Sequence, residues 1–147
     1  MVDSPQVVMA FDYGVMHTGV ALGHSYGNEA RGLTTIHSTT REERWQAITA
    51  LLETWAPSAL VVGLPLTQDG EEQLATRQAR RFAQSLKRRY SLPVHLVDER
   101  YSSVMAQQNM KEAGRGSRLH VHEEHAEAAA IILQTFWNGI DEISAPA

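Results

Sequence analysis

Hydrophobic and polar positions alternate in short runs at the start of the chain: VVMAFDYG, TGVALGHS and ARGLTTIHS, separated by polar or glycine-containing breaks. That spacing predicts three β-strands in an antiparallel meander. The period then lengthens. Thr40 and Glu43 form a capping-box pattern, and Trp45, Ile48, Leu51, Leu52 and Trp55 fall on one helical face before Pro57 stops the helix. ALVVGLP is almost wholly apolar, as expected of a strand covered on both faces. A helix is predicted over 71–90, with Glu71 and Glu72 at its positive end. PVHLVDER reads as another strand. Ser102 or Ser103 can cap a helix that stops at Gly114, GRGS breaks the chain, and a last helix runs over 122–137.

The order β-β-β-α-β-α-β-α-α predicts one α/β domain. Its mixed five-stranded sheet has a three-strand antiparallel meander, two added parallel strands, and helices on both faces. The domain is expected to take in residues 1–137, with NGIDEISAPA, 138–147, as a frayed tail.

Composition narrows the class. The 147 residues suit one domain, and 43% hydrophobic content suits a proper core. The absence of cysteine excludes disulfides, thiolate metal sites and a thiol nucleophile. No apolar run is long enough to span a bilayer, and MVDSPQ lacks the basic-then-apolar pattern of a signal peptide. A cytoplasmic protein with no membrane partner is expected. The net charge of −4 argues against a general nucleic-acid coat protein but allows a local basic face.

Several residues carry possible chemistry. Asp12 interrupts an apolar strand, where a carboxylate needs a partner, a cation or a cleft. Gly14 follows it and permits a tight turn or close ligand approach. Taken alone, Asp-x-Gly is more often a turn. Asp98 and Glu99 end the strand PVHLV, where parallel sheets place their ligands, and adjacent acids there point to different sides. Arg100 can pair with either acid or contact a phosphate; a salt-bridged strand end is an equal alternative. Gly63, in VVGLP, suits close backbone approach to a substrate or a plain strand-to-loop turn. On the 71–90 helix, Ala75, Ala79, Phe82 and Leu86 form the inner face. Arg77, Arg81, Gln84 and Arg88 lie opposite, flanked by Arg80 and Lys87: a phosphate-binding stripe or a solvated face. In LHVHEEHAEAAAIILQTF, His125 is the polar residue best placed to look inward beside Ala126, Ala129, Ala130, Leu133 and Trp137, with His122 near it. Glu124 and Glu127 point away. A partly buried, hydrogen-bonded histidine is the usual alternative.

Taken together, FDYGVMHTGVALG, VVGLPLTQDG, ARRFAQSLKRRYSLPVHLVDERYSS and the Ala-rich helix ending in IILQTF resemble the YqgF/RuvX family over about residues 7–137. The resemblance implies a ribonuclease H-like fold in bacterial cytoplasmic proteins. It also implies metal-dependent phosphodiester hydrolysis, in Holliday junction resolvase-like nucleases or in maturation of the small-subunit ribosomal RNA precursor. The family's first acid matches Asp12, and the acid of its D-E-R motif matches Glu99. Its third acid, an aspartate, falls on His125. This departure leaves three readings in order: His125 as a substitute ligand or proton-transfer group, Glu124 turned inward by an unwound helix start, or a weakened site. A further family glutamate falls on Met105, a peripheral position.

Two divalent ions about 4 Å apart can serve an in-line displacement. Asp12 is the expected bridging ligand, Glu99 holds one ion or orients water, and His125 completes the second. Mg2+ or Mn2+ is expected, with manganese favoured if imidazole is a ligand. Arg100, Arg77, Arg81 and Arg88, and more weakly Arg115 and Arg118, are the expected phosphate contacts. The partner is RNA or DNA, and the protein is a monomer or a homodimer. One rival is a non-catalytic nucleic-acid-binding member with the same fold. Another is a ribonuclease H-like ATPase domain, disfavoured because 147 residues leave no second lobe.

Overall fold

The computed structural model describes residues 6–24, 29–99 and 121–138. Five strands and three helices follow in the order β1 (Val7–Asp12), β2 (His17–His24), β3 (Glu29–His37), α1 (Arg41–Trp55), β4 (Ala59–Leu64), α2 (Leu74–Tyr90), β5 (Val94–Asp98) and α3 (Val121–Trp137). The sheet order is β3-β2-β1-β4-β5. The first three strands pair antiparallel, and β4 joins β1 and β5 in parallel. This is the mixed sheet expected from the hydrophobic pattern. The helix expected between Ser102 and Gly114, with Arg100, Arg115, Arg118 and the tail beyond Asn138, lies outside the described residues. Among the described residues, no helix is long and apolar enough to cross a membrane.

Strand alternation divides the core in two. Met9, Phe11, Val20, Leu22, Leu60, Val62 and Leu64 point to the face covered by α1 and α2. Phe82 of α2 is the hub there: Phe11 meets it edge-on at 5.6 Å, Tyr13 stacks on it at 4.7 Å, and Trp45 of α1 stacks at 5.6 Å. Such ring pairs add to simple area burial. The capping box of α1 is present, with the Glu43 N–H donating to Thr40 Oγ1 at 3.1 Å and the Thr40 N–H to Glu43 Oε1 at 3.3 Å. The helix stops as expected before Pro57, through Ala56 in the left-handed region.

Two details of α2 differ from the sequence reading. The helix starts at Leu74, so Glu71 and Glu72 precede it, and Glu72 folds back to accept from Arg80 Nε at 2.9 Å. Ala75, in the first turn, is exposed; the buried positions are Thr76, Ala79, Phe82, Ala83 and Leu86. Thr76 is pulled in because its hydroxyl donates to the Pro65 carbonyl at the end of β4.

The other face is built from small residues. Val8, Ala10, Ala21, Val61 and Val97 pack against Ala129, Ala130, Ile132 and Leu133 of α3. Three glycines of the meander set how close the helix comes. A Cβ on Gly19 would overlap the His125 carbonyl, one on Gly32 would stand 3.0 Å from Ala126 Cβ, and one on Gly23 would overlap the Trp137 ring. An alanine-rich helix thus lies almost directly on the backbones of β2 and β3.

Gly19→Ala should therefore lower stability by at least about 1–3 kcal/mol, the usual cost of overpacking a filled interior. The clash is with backbone, which cannot swing aside. Urea unfolding should show a lower midpoint at an unchanged slope; an unchanged midpoint would mean that α3 is not seated on β2.

Candidate active site

Asp12 is the last residue of β1, the central strand, and its cross-strand partner on β2 is Gly19. Alternation puts it on the same face as Val8 and Ala10, towards α3. Because Gly19 carries no side chain, the backbone of α3 rests on β2 at His125, beside that carboxylate. His125 Nδ1 lies 3.7 Å from Asp12 Oδ2, with the two side chains 30% and 14% exposed. The Asp12 carboxylate, as acceptor for the ring, raises the His125 pKa above its ordinary value. Burial opposes this, and the charges of Asp12 and Glu124 add to it.

Glu99 reaches the same face from two strands away. The pairing Phe11↔Val62 sets Gly63 beside Asp12 at the next rung. A Cβ on Gly63 would stand 2.7 Å from Glu99 Oε1 and 2.5 Å from Ile132 Cδ1. The space over Gly63 is thus filled by the Glu99 carboxylate and by α3. The Glu99 backbone is fixed by its N–H, which donates to Leu64 O at 3.1 Å. Asp98, in register with Leu64, alternates to the other face. Asp12, Glu99 and His125 therefore share one face at the carboxyl ends of β1, β4 and β5. Among the described residues, no three His, Asp or Glu side chains converge tightly enough to enclose a cation. The Asp12–His125 pair provides one oxygen and one nitrogen donor, a set that suits a divalent transition ion better than magnesium.

The helix is already wound at Val121, so Glu124 sits in a regular turn about 100° from His125. The unwound start that would turn Glu124 inward is not seen. The side chain of His122 lies outside the described residues.

Two further histidines belong to this neighbourhood. His17 and His37 are direct cross-strand partners on β2 and β3, with His37 Nδ1 2.8 Å from His17 Nε2. The His17 ring lies parallel to that of His125, 5° apart in tilt at 5.4 Å between centroids. His37, His17, His125 and Asp12 form a row across three strands and a helix. The sequence reading passed over His17 and His37. The one signal for them was the meander register, which needs the bulge between Val20 and Ala21 to be known.

The basic stripe is not gathered into this site. Arg77, Arg81 and Arg88 are exposed on α2, which covers the opposite face of the sheet. The start of α2 adjoins Pro65, so Arg77 is the member nearest the carboxyl edge. Arg88 is about 16 Å farther along the helix axis. Arg80 is paired with Glu72. Gly14 makes a turn: a Cβ there would overlap the His17 carbonyl. A surface depression of about 860 Å3, lined by α1 residues such as Trp45 and Glu53 together with Arg89, lies on the α1 side, away from Asp12.

A mixed five-stranded sheet in this order, with acids at the carboxyl ends of central β1 and edge strand β5, has the ribonuclease H-like fold. Similar folds occur in the solved structures of Thermus thermophilus RuvC with a Holliday junction substrate (TM-score 0.58, 17% identity, 93% of this chain and 98% of that one) and of the Fowlpox virus resolvase with Holliday junction DNA (TM-score 0.55, 8% identity, 90% and 97%). The family model RuvX, Holliday junction resolvase, matches residues 6–139, and the chain belongs to that family. Relatives from Burkholderia vietnamiensis (46% identical; 92% of this chain, 89% of the relative) and Burkholderia multivorans (44%; 93% and 90%) are provisionally named pre-16S rRNA nucleases. These names denote enzymes that hydrolyse phosphodiester bonds, and the chain is a nuclease of this class.

In the ion-free protein, His125 should titrate above about 6.5, the usual histidine value. Asp12→Asn should bring it down towards that value, as followed by NMR of the ring protons. The sign follows from linkage: a raised folded pKa means the pair stabilises the fold fully below the unfolded value and loses that contribution as pH rises through the folded one. A His125 pKa unmoved by Asp12→Asn would show that the two side chains do not interact.

Proposed function

We propose that the chain forms a divalent-metal-dependent nuclease centre on a single domain, residues 1–137, built on Asp12, Glu99 and His125 and acting on ribosomal RNA precursor. The observation that carries this reading is the meeting of Asp12 and His125 at the rung of the sheet where Gly19 lets the helix backbone touch the strand. The substrate class rests on the names of relatives 44–46% identical over more than nine-tenths of the chain. A cytoplasmic location goes with that substrate.

Asp12 and His125 would hold the ion, with Glu99 the next acid along the face. Bound there, a divalent ion supplies Lewis-acid charge to the phosphodiester. Asp12 contributes the negative charge at the sheet centre. His125 serves in its neutral form, with its free ring nitrogen as the donor and its plane set by stacking on His17. Glu99, anchored through its own backbone N–H, would orient a water against the phosphate. Arg77, at the near end of the stripe, would contact the nucleic-acid backbone before Arg81 and Arg88 do.

A second reading keeps the fold and its binding surface with little or no catalysis. The histidine at the position that the family resemblance gives to aspartate favours it. One experiment separates the two: cleavage of labelled RNA and DNA, single-stranded and branched, with magnesium or manganese. Cleavage that Asp12→Asn reduces by on the order of 100-fold or more, the scale of losing an electrostatic stabiliser, supports the enzyme. Full activity in a folded Asp12→Asn protein would remove Asp12 from the centre. Binding without cleavage under every condition would favour the second reading.

The exchange at position 125 makes a sharper expectation. Replacing a carboxylate by imidazole removes one negative charge and an oxygen donor, so magnesium should support less activity than manganese. His125→Asp should shift the preference back towards magnesium, and His125→Ala should impair both. If His125→Ala matches the parent with either ion while Glu124→Gln is inactive, the ligand is Glu124 and the histidine is structural.

A further inference from the structure

The turn between β1 and β2 joins two residues of the site, Asp12 and His17, and is built unlike a mobile loop. Three successive carbonyls along it each accept a hydrogen bond. Gly14 O accepts from Thr18 Oγ1 at 3.3 Å, Val15 O from Arg44 Nη2 at 2.8 Å, and Met16 O from the Ser38 N–H at 3.1 Å. Arg44 is buried, 6% exposed, and its guanidinium lies 5.0 Å over the Tyr13 ring, which itself stacks on Phe82. The backbone of the turn is thus clamped to the core from beneath. Its side chains are presented outward instead: Val15 is 57% exposed and Met16 51%. Among the described residues, only these two and Leu74 are large apolar side chains so exposed.

A single exposed apolar residue needs no explanation. Two adjacent ones, on a turn held rigid by a buried arginine and leading straight into the site, do. Ordering them costs little on binding because the backbone is already fixed. Three residues of chain span at most about 10 Å. Val15 therefore lies within about three nucleotides of a phosphate at Asp12, taking about 3.4 Å per stacked nucleotide.

We propose that Val15 and Met16 form a fixed apolar finger that packs against the face of an unpaired base close to the cleaved phosphate, which makes unpaired nucleotides the preferred substrate. Apolar side chains of this kind wedge against or between bases. Unpaired bases offer their faces to protein, whereas a continuous duplex keeps them stacked. The finger rests on the nuclease reading, since it presumes that nucleic acid lies across Asp12.

The test uses the full chain in EDTA, so that binding is read without cleavage. The probes are a single-stranded RNA carrying 2-aminopurine and the same RNA in a continuous duplex. The parent should bind the single strand more tightly and change the 2-aminopurine fluorescence. The Val15→Ser/Met16→Ser double variant should bind the single strand on the order of tenfold more weakly, lose the fluorescence change and bind the duplex as before. Val15→Ile/Met16→Leu should retain the parental behaviour. Both positions are exposed, and an unchanged melting curve checks that the fold is kept. Parental affinity and fluorescence in the serine variant would overturn the finger, as would an equal loss on both probes. Cleavage with manganese, run in parallel, separates the two readings. A parent that cuts beside a serine variant indistinguishable from it sinks the finger alone. A parent that neither binds nor cuts sinks the nuclease reading and the finger with it.

Discussion

The arrangement of this protein depends on one contact: the backbone of α3 lying on β2 at Gly19. A side chain there would hold the helix off by the thickness of a methyl group or more. With hydrogen alone on the Cα, the carbonyl of His125 can sit where a side chain would be. The same condition recurs at Gly32 under Ala126 and at Gly23 under Trp137, so the helix is seated along its length. Its alanines are the matching requirement on the other side, since larger residues at Ala129 and Ala130 would restore the separation that the glycines remove.

The seating brings opposed electrostatic demands together. Asp12 ends a central strand at low exposure, where an isolated carboxylate is costly. The His125 ring beside it offers partial compensation, which is why that ring holds its proton more firmly than usual. The same ring must give up its proton to act as a metal donor. An ion held by the pair would therefore have to displace that proton. His17 and His37 extend the row by stacking and a nitrogen–nitrogen contact, which fixes the plane of the His125 ring. On the other side of Asp12, Gly63 leaves space for Glu99 on the same face.

The opposite face of the sheet has a different task. There the layer is thick and aromatic, centred on Phe82, and it carries the helix with the arginine stripe. That stripe follows clearly from helical periodicity, yet periodicity says nothing about which side of the sheet a helix covers. The crossover from β4 through α2 to β5 decides that, and it sends Arg81 and Arg88 away from Asp12. The same crossover anchors the start of α2 at Pro65, so Arg77 is the stripe residue nearest the carboxyl edge.

Most elements were legible in the chain because each rests on local chemistry. Two-residue alternation marks the strands, Thr40 with Glu43 marks the start of α1, and Pro57 marks its end. Asp12, Glu99 and His125 were legible too, each as an oddity in an apolar context or by family resemblance. Their convergence was not. The distance between Asp12 and His125 depends on residues more than a hundred positions apart in sequence and on an empty position at Gly19. Arg44 was hidden because a charged residue beside a capping box reads as solvent-exposed, and only the fold shows it buried against the Val15 carbonyl. His17 and His37 meet through a bulged register that alternation alone does not specify. Local interactions therefore determined the elements and the candidate residues. The tertiary structure decided which of them share a face, because that depends on how closely two backbones may approach, and a lone glycine reveals this only when its neighbour is known.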